Sequence, residues 1–183
     1  MFKGLYVDKP QHVIIKEAQE PALQANQVRI QTEFAAIKHG TEFHLFSGQS
    51  PFHDRRFDPQ LRLFVKQANP ETTGALVGQY VGNMAVGTIT ETGPAVTQFK
   101  KGDRVYCYAP ICDLLTKAET DIEPLIPPMS EQDAVCLDPA QFALGAVRDA
   151  KVSVGDNVVV SGLGAIGLFV VQLLKLSGCL HII

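Results

Sequence analysis

The chain has 183 residues, 46% of them hydrophobic and 19% charged, with a formal net charge of −3. This length admits one large domain or one and a half small ones, and the composition is ordinary for a globular protein. A slightly acidic balance gives no basis for nucleic acid or an anionic membrane as partner, so neither is expected.

Residues 2–36 read as β-structure, with Val13-Ile14-Ile15 as a short strand and Pro21–Gln27 as a turn-rich connection. Val28, Ile30, Thr32 and Phe34 alternate with Arg29, Gln31, Glu33 and Ala35, the pattern of a half-buried strand with the first set inward. Lys38–Gly48, KHGTEFHLFSG, is a loop and short helical turn rich in polar groups. Gln49–Thr73 is irregular, with three prolines among three phenylalanines, and is expected to form a long loop over the barrel. Val77–Thr92 returns to strand, with Gly78, Gly82 and Gly87 marking bulges or bends. Turns at Gly93-Pro94 and Lys101-Gly102-Asp103 precede the strand Arg104–Tyr108. Short strands with regular turn signals argue for a small β-barrel.

Pro124–Pro128 is a stiff linker. Ser130 opens a helix, with Asp133 completing an approximate capping box. Asp138-Pro139 starts a second helix, Asp138 as its N-cap, which runs over Ala140–Ala150. Val158-Val159-Val160 suits a strand buried on both faces, and it leads straight into Gly162-Leu163-Gly164-Ala165-Ile166-Gly167. An apolar helix follows over Ala165–Leu176, stopping at Ser177-Gly178, and Leu180–Ile183 opens another apolar run.

Strand, G-x-G-x-x-G turn, helix and strand in that order point to dinucleotide binding. Gly162 permits the tight turn, Gly164 lets the backbone approach a pyrophosphate, and Gly167 allows close helix packing. Leu163, Ala165 and Ile166 complete the turn, and the first helical amides are the expected phosphate donors. The bland alternative is a glycine turn that only packs a helix on a strand. The acidic residue that holds the ribose lies about 20 residues beyond such glycines, at or just past Ile183. A chain that stops inside its cofactor domain is therefore expected.

Cysteines at 107, 112, 136 and 179 form no C-x-x-C pair, so neither a zinc knuckle nor a disulfide frame is indicated. Four inert buried thiols and a reducing, cytoplasmic setting are expected. The opening MFKGLYVDKP lacks the apolar core of a signal peptide, and Ala165–Leu176 is too short to span a bilayer.

KHGTEFH at 38–44, VGNMAVGTITETGPAV at 81–96, FKKGDRV at 99–105, LDPAQFALGAVRDA at 137–150 and SGLGAIGLF at 161–169 occur in one order over nearly the whole chain. Together they resemble the medium-chain dehydrogenase/reductase family, alcohol and polyol dehydrogenases with a GroES-like N-terminal domain. The resemblance implies an α+β chain: a GroES-like β-barrel domain over 1–129, connecting helices over 130–150, and the first βαβ unit of a Rossmann fold over 151–183. It implies NAD or NADP as cofactor, a small-molecule substrate and a homo-oligomer.

Zinc-dependent members of this family place a Cys, a His and a Glu around the metal, and the resemblance puts His39, Asn83 and Met84 at those positions. Asp138 falls near a later acidic ligand. An amide and a thioether are poor zinc donors, so catalytic zinc is not expected. Were a metal retained, His39 and Asp138 would hold it, with Glu42 or His44 as a third ligand. Thr41 and His44 match the family's proton relay, a hydroxyl passing a proton toward an imidazole. Glu42 and His39 complete the candidate catalytic set, and Lys38 or Tyr80 could stabilise an oxyanion without metal. Plainer readings stand beside these: Thr41 as a helix cap, His44 as a surface imidazole, His39 as a loop histidine.

The resulting expectation is an NAD(P)-dependent oxidoreductase for a secondary alcohol, sugar or polyol, or the matching ketone, without catalytic zinc. The alternatives are a zinc enzyme with variant ligands and a non-catalytic fragment or structural paralogue.

Overall fold

A computed structural model describes residues 1–47, 55–66 and 78–183, which fall into two units, Met1–Pro128 and Met129–Ile183. In the first unit, β1 (Phe2–Lys9) pairs antiparallel with β2 (His12–Ala18), and β3 (Gln27–Ala36) leads into α1 (His39–Phe46). β4 (Arg55–Asp58) and β5 (Leu63–Lys66) form a hairpin. β6 (Gln79–Tyr80), β7 (Met84–Thr92), β8 (Arg104–Tyr108), β9 (Leu114–Ala118) and β10 (Glu123–Pro124) follow. Apart from that hairpin, the described strands of this unit form two sheets, in the orders β2-β1-β6 and β10-β8-β7-β3-β9.

The segment after β8 joins them. Gly4 bridges Cys112, the Leu5 amide donates to the Ile111 carbonyl, and the Thr32 amide donates to the Asp113 carbonyl. The Lys3 amide donates to Asp113 Oδ1 at 2.7 Å. Residues 111–113 thus stitch β1 to β3 and close the barrel, which leaves fewer backbone edges unpaired. Inside it, Val28, Ile30, Ile89 and Val105 are at most 2% exposed and form the core with Leu115 and Ile122.

The alternation expected along β3 holds for Val28 and Ile30 and fails at Phe34, which is exposed. The β3–β7 register shifts between Thr32 and Phe34, and one extra residue in a strand exchanges its faces beyond that point. The irregular stretch expected over Gln49–Thr73 contains the β4–β5 hairpin, where Phe57 pairs with Phe64 across the strands. Its runs, RRFD and LFVK, do not alternate apolar with polar, so periodicity does not announce them. The rest of that stretch lies outside the described residues.

The second unit holds α2 (Glu131–Val135), α3 (Leu137–Asp149), β11 (Asn157–Val158), α4 (Ala165–Leu176) and β12 (His181–Ile182). β11 and β12 run parallel, with α4 in the connection. The capping box at the start of α2 is formed: Ser130 Oγ accepts from the Asp133 amide, and the Asp133 carboxylate accepts from the Ser130 amide at 2.9 Å. That amide bond, followed by the Ser130 hydroxyl, holds the Asp133 carboxyl below its ordinary value. The box therefore stabilises α2 fully above the ordinary carboxylate range and is lost as pH falls through the lowered folded value. Ser130→Ala is expected to destabilise the unit by about 1 kcal/mol and to reduce this acid sensitivity without removing it, since the backbone amide of residue 130 still donates to Asp133. Amide exchange of α2 against pH is the measurement.

Asp138 does not cap α3. The helix starts at Leu137, because Cys136 already has right-handed helical angles and carries the chain from α2 into α3. Asp138 lies in the first turn, 4% exposed. α4 ends as expected: Gly178 has φ +83°, and the Cys179 amide returns to the Leu174 carbonyl. The strand before the glycine turn is less covered than expected, since among the described residues β11 pairs only with β12 and Val159 is 74% exposed. Among the described residues no helix is long and apolar enough to cross a membrane.

Candidate functional site

The expected site residues fall on two structures, one in each unit. The first is α1. It has eight residues, too few to be stable alone, so tertiary ties must hold it. It begins at His39, which puts Thr41 inside the helix and not at its cap; the Thr41 side chain lies outside the described residues. His39 is exposed and stacks on Phe43, one turn along, with centroids 5.2 Å apart and planes 19° from parallel. His44 is exposed and meets Phe43 edge-on at 6.2 Å. Phe43 therefore sits between the two imidazoles.

Glu42 is placed differently from its neighbours. Its Oε2 accepts from the Lys38 amide at 2.6 Å, and its Oε1 accepts from the Gly82 amide, also at 2.6 Å. Beside it opens a cavity of about 240 Å³ walled by Val13, Ile37, Phe43, Phe46 and Val81 together with His39 and Glu42. At the other end of α1, the Gln11 amide donates to the Phe46 carbonyl and Gln11 Nε2 to the Ser47 carbonyl. Neither the cavity nor the Gln11 tie is readable in the sequence, because each joins segments distant along the chain.

Of the two groups suggested as metal-free oxyanion donors, Tyr80 is built into the barrel. Its ring packs on Phe2 and Tyr6 at 5.7 and 5.1 Å, and its hydroxyl is buried without a hydrogen-bond partner among the described residues. The four cysteines divide: burial pushes the Cys107 and Cys112 thiols up to about 11, which keeps them protonated and inert at neutral pH. Cys136 is exposed and Cys179 half-buried, so the expectation of four buried thiols fails at those two.

The donor set at the family's zinc positions does not suit zinc. His39 offers an imidazole, but Met84 is a neutral thioether only 3% exposed in β7. The Asn83 backbone is committed to the sheet, donating to Ala36 and accepting from Ala109. Asp138 belongs to the second unit. Among the described residues no three His, Cys, Asp or Glu side chains are grouped as a metal centre requires.

The second structure is the glycine turn. Gly162 has φ +93°, a conformation that favours glycine. A Cβ on Gly167 would run into the Gly162 carbonyl oxygen, so the turn closes only with glycine there. Gly164 is the N-cap of α4, and a Cβ built on it meets nothing within 4 Å. No side chain caps the first-turn amides, and no acidic residue stands among them. An open cradle in front of uncapped helix amides fits a dinucleotide pyrophosphate.

Residues 24–126 match the model of the alcohol dehydrogenase GroES-like domain. The chain belongs to the GroES-like alcohol dehydrogenase family. Among curated relatives, it is 41% identical over 180 residues to D-guloside 3-dehydrogenase of Escherichia coli (strain K12), an alignment covering 96% of this chain and 51% of that one. It is 24% identical over 196 residues to (R,R)-butanediol dehydrogenase of Bacillus subtilis (strain 168), covering 92% and 53%. The fold is similar to the crystal structure of 2R,3R-butanediol dehydrogenase from Bacillus subtilis, with a TM-score of 0.75 at 21% identity, covering 100% of this chain and 57% of that one. The chain spans about half the length of the curated relatives it matches. The GroES-like match ends at residue 126, so the glycine cradle lies outside it.

Proposed function

We propose that this chain supplies the substrate-facing domain and the phosphate cradle of an NAD(P)-dependent oxidoreductase acting on a secondary alcohol, sugar or polyol, or its ketone, without catalytic zinc. The observation that carries this reading is the Gly162–Gly167 cradle, open in front of the uncapped start of α4. The relatives named for a guloside and a butanediol support the substrate class. Bound at the cradle, a nicotinamide dinucleotide would supply the hydride acceptor or donor.

The chain's own groups manage the proton and the oxygen. An alcohol losing hydride must also lose a proton, and the exposed His44 imidazole takes it; the resemblance assigns the intervening hydroxyl to Thr41. With Tyr80 enclosed in the barrel, the Lys38 ammonium is the remaining choice to stabilise the substrate oxygen.

The test is reduction of NAD⁺ or NADP⁺, followed by absorbance, by the protein expressed from its full reading frame with a panel of glycosides, polyols and diols. Turnover is expected to persist after exhaustive chelation. His44→Gln and Lys38→Met are each expected to lower kcat by about a hundredfold. Stoichiometric zinc in the purified protein, or chelator-sensitive turnover, would overturn the metal-free reading. Full activity of His44→Gln would remove the relay.

A further inference from the structure

We infer that Glu42 is a positioning residue: its carboxylate bridges two backbone amides and fixes α1 against the turn before β7, a tie that needs no metal. Both oxygens are engaged at 2.6 Å, one by the Lys38 amide at the start of α1 and the other by the Gly82 amide forty positions away. Charge-assisted bonds to backbone amides are about twice as strong as neutral ones. With both oxygens so occupied, the carboxylate is poorly placed to carry a proton to or from a substrate.

The consequence follows from what the two ends hold. One end is the helix that carries His39, Thr41 and His44; the other is Gly82, directly ahead of Asn83 and Met84. Asn83 is itself locked to the sheet through Ala36 and Ala109. The tie therefore sets the position of the imidazoles relative to the barrel wall. Gln11 performs the matching task at the far end, donating to the Phe46 and Ser47 carbonyls. A helix of two turns is thus tied at both ends by bonds outside its own ladder, through its own Glu42 carboxylate at one and the Gln11 amide and side chain at the other. The two segments carrying the family's zinc positions on this unit are joined by an organic bridge.

Amide hydrogen exchange and proton shifts of Gly82 and Lys38 test this directly, in wild type, Glu42→Ala and Glu42→Gln. In wild type both amides are expected to be protected and shifted downfield, and unaffected by chelator or added zinc. In Glu42→Ala both are expected to exchange at least about tenfold faster, in line with loss of a hydrogen bond to a charged group. In Glu42→Gln one oxygen remains, so one of the two amides keeps its protection. Val28 and Ile30, in the barrel core, serve as unmoved references.

The effect on turnover rests on the function proposed above. There kcat is expected to fall roughly tenfold in Glu42→Ala, with partial recovery in Glu42→Gln and an unchanged KM for the dinucleotide. Unaltered Gly82 and Lys38 exchange in Glu42→Ala overturns the inference, as does exchange accelerated by chelator in wild type. Equal loss of kcat in Glu42→Gln and Glu42→Ala, with both amides still protected in Glu42→Gln, also overturns it in favour of proton transfer by Glu42. Absence of any dehydrogenase turnover in wild type would sink the functional reading, while the exchange measurements still decide the tie.

Discussion

Gly167→Ala is expected to destabilise the second unit by about 3 kcal/mol or more, the upper end of what overpacking costs, and to eliminate dinucleotide binding with it. The added Cβ would meet the Gly162 carbonyl oxygen, a backbone atom that cannot swing aside as a side chain would. Relief requires reopening the turn or lifting the start of α4. Gly164→Val is the informative contrast. Its backbone angles, φ −73° and ψ −174°, are open to any residue, and the space around its Cβ is empty. Its cost in stability is expected to be about 1 kcal/mol, that of a poor N-cap residue. The branched side chain would nevertheless stand where a pyrophosphate must approach, so affinity should fall on the order of a hundredfold, equivalent to about 2.7 kcal/mol. Denaturant unfolding together with NADH and NADPH fluorescence titration of the full-reading-frame protein separates the two effects. Equal binding by Gly164→Val and wild type would reduce the glycine turn to a packing device.

The second large effect is expected in the barrel. Ile30 and Ile89 are cross-strand partners on β3 and β7, 2% and 1% exposed. Truncating either to alanine removes most of a buried side chain and leaves a void that close-packed strands cannot collapse. Each substitution is expected to cost about 2–5 kcal/mol. Because the two positions face one another, the double variant should lose less than the sum of the singles. Set against a typical stability of about 5–15 kcal/mol, the double variant would be close to unfolding at room temperature. Urea titrations with an unchanged slope would confirm a stability effect, and a loss below about 1 kcal/mol for either single variant would contradict the burial described here.

The legible parts of this chain were those whose requirements are local. The glycine turn is one, since Gly162 answers to its own backbone angle and Gly167 to the Gly162 carbonyl five residues before it. The Ser130–Asp133 box is another, its partners lying within a single helical turn. The inward set on β3 could be read as far as Ile30 and no further, because the bulge that turns Phe34 outward is decided by pairing with β7. Glu42 shows the limit most clearly. An acidic residue between a threonine and a histidine reads as reactive chemistry, yet its second amide partner, Gly82, is supplied by the turn before β7, forty positions away. Asp138 misled for a related reason: Asp-Pro is a sound helix start, but Cys136 keeps helical angles and the true start comes earlier. β9, LLTKA, carries no apolar–polar alternation, and β10 has only two residues.

The stitch between β1 and residues 111–113 sets a clock on biosynthesis. Lys3 and Asp113, which it joins, are 110 positions apart. At ribosomal speeds of about 5–20 residues per second, the first strand emerges roughly 5–20 seconds before its closing partner exists. Over that interval the Lys3 and Leu5 amides on this edge wait for residues 111–113, because β6 pairs the edge only further along, at Tyr6 and Val7.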